Sequence, residues 1–292
     1  MPPRVLAAAL LAQVLGGLTA IWTKLALAGL PPWTLVFTRQ TIGAVFLFGL
    51  ARIGRRAAPV RTAPWTMRDV GLLLLISWGG FALPQLLLAT GAQRSTAVAY
   101  ALLTPLEPIG IVLGSALLLS EGLPRARAIG VALGTLGASL VVLQDGLRPD
   151  LGDAFGDALM AAGHLAWAIY TLGAKSLLER HDEGSVSLLA VVLTLPPLAL
   201  LAGAESIDPA RAMPALIWVF VLAASSTALV TWLWNWALHR TRAGTMGVLI
   251  FVQPIVGLAA STIGLGERTG ALALLGAAAI LGGVALEVRR AR

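Results

Sequence analysis

The sequence predicts an all-α polytopic membrane protein: ten transmembrane helices forming two inverted five-helix repeats, with the N- and C-termini cytoplasmic. Composition, the spacing of apolar runs and an internal repeat carry that expectation. Hydrophobic residues make up 58% of the 292 and charged residues only 12%, and the mean hydropathy is +0.85. A soluble domain with a polar exterior does not carry such an excess. A hydrocarbon core of roughly 30 Å takes about 20 apolar residues of helix, which leaves room for about ten spans and none for a separate soluble domain.

The apolar runs fall at roughly 5–27, 33–50, 70–91, 97–119, 128–143, 155–178, 185–203, 214–237, 243–265 and 270–288. Pro31-Pro32, the stretch from Arg52 to Asp69, Gln144-Asp145-Gly146 and Ile207-Asp208-Pro209 mark loops between them. The N-terminal run passes any plausible small-residue cleavage site and reads as an uncleaved first helix. With a cytoplasmic N-terminus, 15 Lys and Arg fall in inside segments and 4 in outside loops (Arg94, Arg148, Arg211 and Arg268). That bias places both ends in the cytoplasm.

The repeat appears when the chain is slid against itself by 146 positions. Arg94 then meets Arg240, Glu107-Pro108 meets Gln253-Pro254, Ser115 meets Ser261, Glu121 meets Glu267, Gly130 meets Gly276 and Gly137 meets Gly283. Earlier in each half, Lys24 meets Lys175 at an offset of 151. An odd number of spans per half makes the second enter from the opposite side. The expected units are 1–145 (helices 1–5) and 146–292 (helices 6–10).

The chain has no cysteine, which excludes disulfides, thiolate metal sites and iron-sulfur clusters. The net charge of +7 comes from arginines in short loops, which the positive-inside rule explains without a nucleic-acid partner. The expected partners are membrane lipid and a small-molecule substrate, with no metal and no cofactor. The spacings Gly110 to Gly114 and Gly130 to Gly134 permit close helix contact; intrachain packing is the expected use, which makes the chain a monomer, and a dimer face is the alternative.

A polar residue at membrane depth is costly and faces a cavity or a partner. On helix 1, Gln13, Gly17, Ala20 and Lys24 form one stripe at helical spacing. Lys24 and Lys175 either line the cavity or extend to the headgroups. Helix 4 carries Tyr100, Thr104 and Glu107 on one face. Glu107 is the one acid placed near the midplane, suited either to a substrate ammonium or coupling proton, or to a structural pair with Arg39 or His164. The second half has neutral Gln253 in its place. Pro105, Pro108 and Pro254 break helices 4 and 9, either to line a cavity with freed carbonyls or to kink for packing. Helix 6 presents His164, Trp167, Thr171 and Lys175, helix 3 presents Trp78 and Gln85, and helix 8 adds Thr227, Thr231 and Asn235. Trp78, Tyr100 and Trp167 suit stacking on an apolar or aromatic ligand, whereas Trp33, Trp65 and Trp218 suit the interfacial belt. A lone histidine is no metal site, and a packed, hydrogen-bonded side chain is the first reading of His164, with a place on the cavity wall the other.

Two segments carry a family likeness: Leu103 to Glu121 (LTPLEPIGIVLGSALLLSE) followed by Gly130, and Ile250 to Arg268 (IFVQPIVGLAASTIGLGER) followed by Gly276. They resemble the repeated signature of the EamA family in the drug/metabolite transporter superfamily: a proline in the fourth helix of each half, a Gly-Glu-Arg-like turn and a glycine-rich fifth helix. Ser120-Glu121-Gly122 departs from that turn, and Gly16-Gly17 stands where tryptophan-glycine is more usual. The likeness implies a secondary, non-ATP exporter of small neutral metabolites, most similar to the YddG-type aromatic amino acid exporters. It implies a bacterial inner-membrane setting and alternating access around a midplane cavity lined by helices 1, 3, 4, 6, 8 and 9. The chain has no Gly-x4-Gly-Lys-Ser/Thr loop for a nucleotide. Export of another metabolite or drug class, or a channel-like facilitator, is the alternative. An intramembrane enzyme would need paired carboxylates, a metal cluster or a nucleophile with a base, which the spans do not offer.

Overall fold

The computed structural model describes residues 1–57, 63–94, 103–143, 154–265 and 270–290, which contain helices and connections but no strand. In chain order the helices are α1 Pro3–Leu27, α2 Pro32–Ala57, α3 Met67–Ser77, a π turn Trp78–Ala82, α4 Leu83–Arg94, α5 Leu106–Leu118, α6 Arg125–Val142 and α7 Ala154–Leu178. They continue as α8 Glu183–Val192, α9 Leu195–Ala202, α10 Pro209–Val221, a π turn Leu222–Leu229, α11 Val230–His239, α12 Ala243–Leu249, α13 Val252–Leu265 and α14 Ala271–Arg290. Among the described residues, eight helical stretches are long and apolar enough to cross a bilayer, and α5 is a shorter apolar helix. α7 has the length, at 25 residues, and its Asp157, His164 and Lys175 lower its hydropathy. The protein is therefore a multi-pass integral membrane protein.

The helix starts follow local chemistry. Thr66 and Asp69 form a reciprocal capping box at α3, Asp182 accepts from the Ser185 N–H at 2.8 Å, and Asp208 accepts from Ala210 N–H at 3.0 Å. Where prolines interrupt, helices divide: α8 and α9 part at Leu193–Thr194, just ahead of Pro196-Pro197.

The two halves deviate from regular helix at matching places. The π turn at Trp78–Ala82, shifted by 146, falls inside the π turn at Leu222–Leu229. The break at Thr104–Pro105 matches the break at Ile250–Phe251. There the N–H of Glu107 reaches the Thr104 carbonyl at 3.2 Å and the N–H of Gln253 reaches the Ile250 carbonyl at 2.9 Å. These tight turns take up the carbonyls that Pro108 and Pro254 release from regular helical bonding.

α6 and α14 pack through glycines. A Cβ on Gly137 would lie 2.5 Å from the Gly276 carbonyl oxygen, and one on Gly130 would lie 3.1 Å from that of Gly283. The 146 offset converts one contact into the other. The glycine spacing of α6 is thus used within the chain, where it lets two backbones approach without side chains between them.

One end of the bundle is laced by polar contacts. The Arg127 guanidinium lies 3.0 Å from Glu287 and 3.4 Å from Glu121, and it donates to the Thr245 hydroxyl at 3.2 Å. Glu121 also accepts from the N–H groups of Ala243 and Gly244 at 2.7 and 2.9 Å. Lys175 donates to the carbonyls of Leu238 and Thr241 at 2.9 and 2.7 Å. It closes the C-terminus of α11 rather than reaching outward. Asp69 pairs with Arg180 and His181, each at 3.4 Å, and Trp65 stacks on His181 with centroids 3.7 Å apart. At the same end α12 is buried along its whole length.

Candidate functional site

The proline-broken start of α5 faces α7, and this junction gathers most of the residues singled out from sequence. Gly110 packs against Leu165 and Ala168, and Gly114 against Leu172. That register, carried back one turn, sets His164 level with Leu106, beside Glu107. Leu103, one turn before Glu107, and Trp167 both pack against Leu88 and Met160.

Glu107 is half-buried, and no described residue gives it a hydrogen bond or an ion pair. The structural pairing with Arg39 or His164 is absent: the Arg39 Nε instead donates to the Thr227 hydroxyl at 3.1 Å. An acid without such a partner inside a helical bundle is a group available to a ligand or a proton. Thr104, half-buried, sits on the turn that leads into it.

The apolar wall is aromatic. Trp167 meets Phe81 edge to face at 5.5 Å between centroids and Tyr170 at 6.3 Å, and Phe81 meets Tyr170 at 5.2 Å. Such arrangements complement the ring quadrupoles. Phe81 belongs to the π turn of the third span, and Gly80 in the same turn comes so close to the Tyr170 backbone that no Cβ would fit. Gln85 is buried and spends its Nε2 on the Phe81 carbonyl at 2.9 Å. Its Oε1 has no hydrogen-bond partner. Tyr170 Oη accepts from Asn235 Nδ2 at 2.7 Å, and Asn235 also donates to Ser187 at 2.8 Å, which ties the aromatic wall to α8 and α11.

On the other side of the bundle, the Gln13 Oε1 accepts from Gln253 Nε2 at 2.8 Å. The closeness of Gln253 also accounts for Gly16-Gly17: a Cβ on Gly16 would meet the Gln253 amide nitrogen at 2.9 Å, and one on Gly17 the Gln253 carbonyl oxygen at 2.9 Å. Thr231 is buried on α11.

The remaining expectations divide. Trp78 stands apart from the group: it is half exposed and its indole N–H donates to the Leu193 carbonyl at 2.9 Å, at the α8–α9 break. Tyr100 and the Lys24 side chain lie outside the described residues. Pro105, Pro108 and Pro254 sit at the two helix breaks. Among the described residues no cluster of His, Asp or Glu could hold a metal. Phe81, Tyr170 and Ser187 were not singled out from sequence. Tyr170 could have been found, because it follows Trp167 by three residues, the helical neighbour spacing. Ser187 had no such signal.

Comparison with known proteins identifies the family. The EamA-like transporter family matches residues 4–143 and again 154–289. The chain is similar to an uncharacterized transporter, YetK, of Bacillus subtilis, at 29% identity over 95% of this chain and 84% of that one. It is similar to a probable amino-acid metabolite efflux pump of Salmonella typhimurium, at 27% identity over 96% and 93% of the two chains. To the aromatic amino acid exporter YddG of Ancylobacter novellus the identity is 29%, over 94% and 96% of the two chains. A solved crystal structure shares the fold with a TM-score of 0.80 at 19% identity, covering 100% of this chain and 99% of that one. The chain belongs to the EamA-like transporter family.

Proposed function

We propose that this protein is a secondary transporter that exports small neutral metabolites, foremost amino acids with apolar and aromatic side chains, by alternating access. In this reading ten spans form two inverted five-helix repeats, residues 1–145 and 146–292, with cytoplasmic termini in a bacterial inner membrane. α5 and α7 complete the ten with the eight longer apolar stretches. The observation that carries the proposal is Glu107: an acid that no described residue hydrogen-bonds or pairs with, at a helix break, on the helix that packs against α7 and its aromatic residues. Its carboxylate suits a substrate ammonium, the Trp167–Phe81–Tyr170 wall suits an apolar or aromatic side chain, and the unpartnered Gln85 oxygen accepts a further donor. The amino acid exporters among the relatives support the substrate class.

The test is ligand-induced stabilisation of the purified chain. A ligand at about 100 times its Kd stabilises the bound state by about 2.7 kcal/mol. Tryptophan and phenylalanine are expected to raise the unfolding temperature, Glu107→Gln to abolish the rise, and Trp167→Ala to cut it by about half for tryptophan. Stabilisation by other metabolite classes but by no amino acid would overturn the substrate assignment.

A further inference from the structure

A cavity of about 490 Å³ opens where the end of α2 meets the start of α8. Its volume falls within the roughly 300–1,000 Å³ of cavities that hold small molecules. Phe48, Ala51, Leu188 and Leu189 make its walls mostly apolar, and Arg52 and Trp65 also line it. The two helices belong to different halves of the chain. They come close beside the cavity, where a Cβ on Gly184 would lie 3.0 Å from that of Ala51.

This cavity lies at headgroup depth. The apolar stretch that begins at Pro32 ends at Ile53, so Arg52 stands on the last turn of the span. Trp65 comes just before α3, its indole fixed by the stack on His181, as suits a ring at the interface. Arg52 is exposed, and its guanidinium lies 4.7 Å from the centroid of the Phe48 ring. No described residue gives it an ion pair.

The surrounding charge is positive and uncompensated. From Arg52 to Asp69 the sequence holds five arginines and one acid. That acid, Asp69, is taken by Arg180 and His181. α2 carries no acid. On α8, Glu183 is engaged by His239 and Arg240 at 3.1 and 3.3 Å, and Asp182 caps the helix.

We propose that this cavity binds one anionic phospholipid, its phosphate on the Arg52 guanidinium and the upper part of an acyl chain along Phe48, Leu188 and Leu189. A guanidinium suits a phosphate because its N–H groups donate in pairs. A zwitterionic lipid offers the same phosphate with an offsetting cation, so charge favours the anionic one. The lipid lies across the seam between the two halves.

Native mass spectrometry tests this on the full-length chain, released from detergent micelles doped with equal amounts of phosphatidylglycerol and phosphatidylcholine of the same acyl chains. One retained phosphatidylglycerol is expected, favoured about fivefold, the worth of one arginine beside an anionic headgroup. Arg52→Gln keeps the apolar walls and is expected to bring the two lipids to parity. Arg68, exposed on the first turn of α3, does not line the cavity, and Arg68→Gln is expected to retain the preference. Leu188→Trp and Leu189→Trp each fill the cavity and are expected to lose the lipid with Arg52 still in place. A preference that survives Arg52→Gln, or that falls equally with Arg68→Gln, would mean diffuse attraction to the loop arginines and overturn the proposal. Lipid retained in both filled variants would do the same, as would phosphatidylglycerol displaced by millimolar inorganic phosphate, which would mark a site for a free anion. No transported solute enters the assay, so its outcome is independent of the substrate assignment.

Discussion

Removing the Arg127 guanidinium tests what holds the laced end together. Arg127 and Glu287 are both fully buried and lie 3.0 Å apart, and the guanidinium also reaches Glu121, the Gly122 carbonyl and Thr245. In Arg127→Ala, Glu287 keeps the Thr245 hydroxyl at 2.8 Å and Arg290 at 3.6 Å. Neither replaces a buried guanidinium. Stranding one member of a buried ion pair costs about 3–5 kcal/mol. At about 2–4 °C per kcal/mol for large domains, the unfolding temperature should fall by about 10 °C. Thermal unfolding in detergent, followed by size-exclusion chromatography after heating, measures it. The diagnostic variant is Arg127→Met with Glu287→Met, which removes both charges and fills similar volume. It should recover most of the loss, because two apolar groups strand nothing. A drop smaller than about 1 kcal/mol in the single variant, or a double variant as unstable as the sum of its parts, would refute this account of the network.

Three further outcomes follow from specific contacts. Asn235→Leu leaves the Tyr170 and Ser187 hydroxyls without their shared donor and should cost about 1–3 kcal/mol, read as a lowered unfolding temperature; Asn235→Asp should do no better, since it buries a carboxylate at a fully buried position. Ser120 sits at φ +53, so Ser120→Gly should stabilise the α5–α6 turn by about 1 kcal/mol, with denaturation midpoints as the measure and an unchanged midpoint as the contrary result. Trp167→Ala removes the aromatic wall, so the KM for tryptophan should rise about tenfold, the equivalent of about 1.4 kcal/mol, while that for alanine changes little; an equal rise for both would mean that the ring only supports the fold.

The features legible in the sequence were those fixed by local chemistry. Glu107-Pro108 against Gln253-Pro254 located both helix breaks, because a proline without its N–H leaves the carbonyl four residues before it unbonded. The spacings Gly110 to Gly114 in α5 and Gly130 to Gly134 in α6 pointed to close packing within the chain. The π turns were not legible: Leu222–Leu229 contains ordinary helix-compatible residues, and Gly79-Gly80 in Trp78–Ala82 weakens a helix without specifying a π turn. Trp78 shows the limit of a spacing argument: lying seven residues from Gln85 puts it on the same face, but not at the same distance from the bundle axis. Arg127 read as a loop charge counted for topology, because Glu287, which makes it a buried ion, is 160 residues away. The bridge between Gln13 and Gln253 spans 240 residues and was equally beyond local reading, although both residues had been placed on the cavity.

The most direct test of the central claim is counterflow in liposomes containing the purified chain. Vesicles loaded with millimolar unlabelled tryptophan, phenylalanine or leucine and diluted into trace labelled amino acid should accumulate label transiently, with saturable initial rates and acceleration by the trapped substrate. That behaviour requires a site exposed alternately to the two sides. Flux linear in concentration and indifferent to trapped substrate, or no movement of any neutral amino acid, would contradict the account.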